Sequence, residues 1–148
     1  MTVLKKTLFI DGDCSHFRLP FTVGRGIARL EIDFSYSPKC VADEGYSRGL
    51  LFECFEKGGF GGPETDGFLP LKNLVTLSVD APSGECAGNA HRHDERQKIV
   101  ISENGGSPGF YAVKIAEGEW SAVLSAFFVE KNGVTARIEI KAYRGVFT

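Results

Sequence analysis

Ala28-Arg29-Leu30-Glu31-Ile32-Asp33-Phe34 alternates apolar and polar residues without a break. A period of two puts Ala28, Leu30, Ile32 and Phe34 on one face of an extended strand, with Arg29, Glu31 and Asp33 on the other. Near the carboxyl end, Val134, Ala136, Ile138, Ile140 and Ala142 alternate with Thr135, Arg137, Glu139 and Lys141 in the same way. Between these two segments the pattern recurs at Phe17, Leu19, Phe21 and Val23, at Val75, Leu77 and Val79, at Tyr111, Val113 and Ile115, and from Trp120 to Phe128. Shorter runs at 3–10, 48–56 and 97–102 bring the expectation to about nine strands. One polar face per strand implies antiparallel sheets with one wet side, and two such sheets bury their apolar sides against each other. The expected fold is all-β: an antiparallel β-sandwich of jelly-roll or galactose-binding-like type, with about 8–9 strands and little or no helix.

The core is expected to contain Phe17, Leu19, Phe21, Leu30, Ile32, Phe34, Val75, Leu77, Val113, Leu124, Ile138 and Ile140. Arg29, Glu31, Arg137 and Glu139 face solvent on the same reading. Trp120, the only tryptophan, opens an inward alternation and reads as core rather than as a stacking platform. Asn132-Gly133 between two alternating runs is a hairpin signal. Gly24-Arg25-Gly26 and Gly105-Gly106-Ser107-Pro108-Gly109 also mark turns. The stretches 36–47, 57–73 and 81–96 are left as long connections.

Composition narrows the function classes. A chain of 148 residues with 43% hydrophobic and 24% charged residues has the balance of one folded domain, here 1–148. Its net charge of −2 excludes a generally basic nucleic-acid binder. No apolar run approaches the roughly 18 residues of a membrane span, and the first ten residues do not read as an export signal. Cys14, Cys40, Cys54 and Cys86 are therefore expected to be free thiols in a cytoplasmic protein. Cys54, inside an apolar run, reads as a small core residue. The chain has no Gly-x-Ser-x-Gly elbow, and the glycine patch 58–62 lacks the helix and lysine of a phosphate loop.

His91-Arg92-His93-Asp94-Glu95 concentrates two imidazoles and two carboxylates in five residues. In extended backbone His91 and His93 point the same way, as two metal ligands would, while a solvated polar loop is the plainer reading. If nine strands alternate in direction, 11–15, 36–47, 81–96, 116–119 and the carboxyl terminus share one end of the sandwich. The 57–73 connection then lies at the other end. This groups His16, His91 and His93 as metal candidates, and Asp43, Glu44, His91, His93, Asp94 and Glu95 as a candidate ligand or interface surface. No cofactor is expected, apart from a metal at the His91/His93 end.

Several segments resemble the amino-terminal β-sandwich that precedes the catalytic domain of bacterial PHP-type metallohydrolases, the polymerase and histidinol phosphatase phosphoesterases. They are His16-Phe-Arg-Leu-Pro-Phe-Thr-Val23, Gly26 to Tyr36, Arg48-Gly-Leu-Leu-Phe52, Ser107-Pro-Gly-Phe-Tyr111 and Ile115-Ala-Glu-Gly-Glu-Trp-Ser121. In that family a Gly-Asp-Leu-His-x-His-Thr segment follows and begins the metal-binding barrel. Here the sequence runs Tyr143-Arg-Gly-Val-Phe-Thr148 instead. The resemblance thus implies a non-catalytic accessory domain, either the first part of a longer protein or a stand-alone relative. Its partner would be a metallohydrolase catalytic domain, in cis or in trans. A carbohydrate- or other ligand-binding module and a small metal-binding protein are the alternatives, and neither nucleic acid nor membrane is an expected partner.

Overall fold

The alternation at 28–34 forms the middle of β3 (Ile27–Ser37), whose inward residues Leu30, Ile32, Phe34 and Tyr36 are all buried. Ala28 is exposed rather than buried, because a register irregularity between Ile27 and Arg29 resets the phase and turns Ile27 inward. A computed structural model describes residues 1–12, 15–57, 69–90 and 94–145 of the chain. The other elements in it are β1 (Thr2–Ile10), β2 (Ser15–Val23), α1 (Glu44–Lys57), β4 (Leu74–Asp80), β5 (Cys86–Asn89), β6 (Arg96–Ser102), β7 (Gly118–Phe128) and β8 (Val134–Arg144).

The strands form two four-stranded antiparallel sheets, in the orders β1-β8-β3-β6 and β2-β7-β4-β5. Consecutive strands lie in opposite sheets except β4 and β5, which is the strand order of a jelly roll. Between the sheets lies one apolar core, with Trp120, Leu30, Ile32, Leu77, Leu124 and Ile140 fully enclosed. Phe21 stacks on Trp120 with ring centroids 6.5 Å apart, and the indole Nε1–H donates to Ala116 O at 2.9 Å. Phe17, Leu19 and Val113 pack on the rim of this core and are only partly buried. Arg29 and Arg137 are exposed as expected, and Glu31 and Glu139 are half-buried in ion pairs.

Four local expectations change. The run 48–56 is helical, not a strand: Asp43 Oδ1 accepts the Tyr46 N–H at 2.9 Å and caps α1. Glu44 in the first turn and Lys57 in the last suit the helix dipole. Leu50, Leu51 and Phe52 form an apolar run too short for periodicity to tell helix from strand. Cys54 consequently sits exposed on the helix rather than in the core. The segment 111–115 is not a strand, because Tyr111 N–H donates to Ala87 O in one sheet and Val113 N–H to Ser102 O in the other. It stitches two sheet edges and completes neither ladder. β5, within the presumed loop 81–96, is four residues long and contains Gly88 at φ +147°. Finally, Asn132-Gly133 does form a turn, with Gly133 N–H donating to Glu130 O at 2.8 Å. The strands it joins belong to different sheets, so it is a crossover and not a hairpin.

Candidate ligand-binding groove

The pairings place the ends of β1, β3, β5 and β7 at one pole and those of β2, β4, β6 and β8 at the other. His16, Asp43, Glu44, Asp94 and Glu95 lie at the first pole, as the sequence reading grouped them. Gly145, bonded to Gly26 O through its N–H, lies at the second. The carboxyl end of β8 is thus opposite the polar loops, not beside them. The 81–85 turn and 103–117 also fall at the second pole, and 69–73 returns to the first. Replacing one expected strand by α1, losing the one expected at 111–115 and adding β5 accounts for the reassignment. His91 and His93, with Arg92, lie outside the described residues, as does Cys14.

These polar residues do not converge on one centre. His16 Nδ1 is 2.8 Å from Ser125 Oγ on the outer face of the second sheet. Asp43 serves the helix: its carboxyl is held below the ordinary carboxylate range, first by the Tyr46 N–H and next by the Lys131 ammonium, 3.4 Å away. Asp94 and Glu95 border a cavity of about 520 Å³ with Lys39, Cys40, Lys72, Asn73 and Leu74. Among the described residues no group of three or more His, Cys, Asp or Glu side chains is placed to hold a metal ion. Cys40, Cys54 and Cys86 are free and exposed.

Beside that cavity the long 38–73 excursion is closed at its neck. Val41 N–H donates to Leu71 O and Asn73 N–H to Lys39 O, both at 2.8 Å. Lys39 Nζ donates to Asn73 O at 3.0 Å and to the Tyr36 hydroxyl. These contacts hold both ends of the excursion against β3 and fix the rim of the first pole.

A second concavity, which no local sequence signal marked, crosses the outer face of the first sheet. It has a volume of about 490 Å³ and takes three consecutive residues from each of the four strands. Register explains its composition. Thr7, Arg137, Ser35 and Arg96 form one outward row across β1, β8, β3 and β6. Lys5, Glu139, Asp33 and Lys98 form the next. Phe34 and Ile138 lie beneath, on the core side. Five cations and two carboxylates line the groove, a local positive excess in a chain whose net charge is −2.

The charges are unevenly matched. Glu139 is shared by Lys5 at 3.7 Å and Lys141 at 3.4 Å. No ion pair among the described residues engages Arg96, Lys98, Arg137 or Asp33. The two arginines flank Ser35 from the strands on either side of β3, roughly 10 Å apart at the backbone. Such a row offers forked donors for an oxyanion, with acceptors one row away.

No family model matches the chain, and no curated protein matches it. Among solved structures it is similar to the Clostridium perfringens CspB protease, at 15% identity and a TM-score of 0.41 over 94% of this chain and 24% of the protease. It is also similar to a protein from Sulfurospirillum deleyianum, at 8% identity and a TM-score of 0.37, covering 93% of this chain and 98% of that one. The chain therefore spans about a quarter of the protease's length.

Proposed function

We propose that this chain is a non-catalytic β-sandwich module that binds a ligand in the groove on the outer face of the β1-β8-β3-β6 sheet. The observation that carries the reading is the set of three cations, Arg96, Lys98 and Arg137, gathered over a concave four-strand surface with no ion pair to any of them among the described residues. A volume of about 490 Å³ is within the range of small-ligand sites. The lining holds neither histidine nor cysteine, so it lacks the usual nucleophile–base pairing of covalent catalysis. An accessory role beside a PHP-type catalytic domain rests on the segment resemblance alone. A cytoplasmic location is part of the proposal and draws on the free, exposed thiols of Cys40, Cys54 and Cys86. No helix among the described residues is long and apolar enough to cross a membrane.

A ligand that binds the folded state raises the melting temperature by mass action. Thermal melts of the full chain against a panel of small anions and sugars, with Arg137→Gln as the groove control, test the reading. A compound that stabilises the parent protein and not the variant supports it. Compounds that act equally on both, or none that acts at all, count against it.

A further inference from the structure

We infer that the groove ligand is a phosphorylated sugar or similar polyol phosphate, an inference that rests on the binding reading above. The Thr7-Arg137-Ser35-Arg96 row supplies the anion half of the site. Arg96 and Arg137 flank Ser35 from the strands on either side, and a guanidinium fork can give two parallel N–H···O bonds to a phosphate. Lys98, one row away, adds a third positive charge that no ion pair among the described residues engages.

The neighbouring row supplies the other half. Asp33 is exposed, unpaired by any cation among the described residues, and adjacent to Ser35 by one register step on the same face. Glu139, on β8 directly across from Asp33, brings a second carboxylate to that row. Ionised carboxylates only accept hydrogen bonds. A ligand spanning both rows must therefore present an anion to Arg96 and Arg137 and hydroxyl donors to Asp33. A sugar phosphate carries both, on a scale of one or two strand spacings. Continuous polyanions, nucleic acid and polyphosphate included, would set negative charge against Asp33 and Glu139. The lining also has no exposed aromatic ring on which a base could stack.

The test is a titration of the isotope-labelled full chain, following backbone amide shifts with three probes: glucose 6-phosphate, glucose and inorganic phosphate. Glucose 6-phosphate is expected to move the amides of Thr7, Asp33, Ser35, Arg96 and Arg137, and to bind more tightly than either fragment. Arg96→Gln and Arg137→Gln are each expected to weaken glucose 6-phosphate by about tenfold or more, because a hydrogen bond to a charged group is lost. Asp33→Asn is expected to weaken glucose 6-phosphate while leaving inorganic phosphate equal or tighter, since it removes a repulsive charge. These exposed positions are compatible with folding, which a thermal melt of each variant checks. Inorganic phosphate binding the groove as tightly as glucose 6-phosphate, with Asp33→Asn improving both, overturns the sugar assignment and leaves the binding reading standing. Glucose binding that ignores both arginine variants overturns the phosphate assignment in the same way. If no probe moves the groove amides, the inference fails. If, in addition, no compound of the thermal panel distinguishes Arg137→Gln, the binding reading fails with it.

Discussion

Asn73 and Glu130, 57 positions apart in sequence, are joined across the first pole by a buried hydrogen bond from Glu130 N–H to Asn73 Oδ1 at 2.8 Å. Asn73 Nδ2 donates to Pro38 O at 2.9 Å and reaches Glu130 Oε1 at 3.5 Å. One fully buried amide thereby ties the neck of the 38–73 excursion to the β7–β8 crossover. Asn73→Ala leaves a buried N–H and a carbonyl without partners and is expected to cost about 2–3 kcal/mol, measured by urea unfolding. A loss near zero would show that water replaces the amide.

The same neck makes the excursion separable. Because Val41 and Leu71 are already paired, replacing residues 42–70 by a short Gly/Asn turn is expected to keep the sandwich folded, with little change in Trp120 fluorescence. Loss of the native Trp120 emission would show that α1 is needed for folding.

Gly88 is a different kind of constraint. A Cβ there would collide with Gly109 O and Phe110 Cα, on a backbone at φ +147°. Gly88→Ala combines strain with a clash against main chain and is expected to cost about 2–4 kcal/mol in thermal or urea unfolding. By comparison, Gly84 has a positive φ and open space around it, so its alanine variant is expected to suffer the backbone term alone.

Ile138→Ala removes a buried core side chain beside Phe34, its cross-strand partner, with an expected cost of about 2–5 kcal/mol. Trp120, fully enclosed, reports the transition: its emission should be blue-shifted in the native state and move to the red on unfolding.

Asp43 gives a pH signature. Its folded pKa lies below the ordinary value, through the Tyr46 N–H first and Lys131 next. The carboxylate's contribution is therefore complete above about pH 4 and is lost as the pH falls through the folded value. Denaturation of the parent protein and Asp43→Ala is expected to show a stability gap that is flat near neutral pH and narrows in acid. A gap independent of pH would leave the cap without a charge component.

Where one face of a strand is buried and the other wet, sequence alone located it: β3, β4, β7 and β8 bury the residues that alternation selected, except that Ala28 is exposed and Phe128 only partly buried. Reading failed where geometry overrides local pattern. Tyr111, Val113 and Ile115 alternate, yet their backbone serves two sheets at once. β5 has too few side chains to show a period. Asp43 and Glu44 are visible as polar residues, but the cap made by Asp43 and the first-turn place of Glu44 can be recognised only with the helix behind them. The groove was out of reach for a deeper reason. Thr7, Arg137, Ser35 and Arg96 become neighbours only through the register of four strands that are remote in sequence.

The position of β8 between β1 and β3 also bears on how the protein is made. During synthesis β1 emerges first, yet Thr2 pairs with Lys141, and the Met1 amino group donates to Ala142 O at 3.1 Å. Until β8 leaves the ribosome, β1 has no strand beside it and β3 has only β6. The nascent chain therefore carries an unsatisfied edge until β8 is available, a surface open to mispairing. Completion of the first sheet waits for the last strand. Folding should accordingly wait for β8 and be slow, in the millisecond-to-second range of other β-sandwiches dominated by distant pairings.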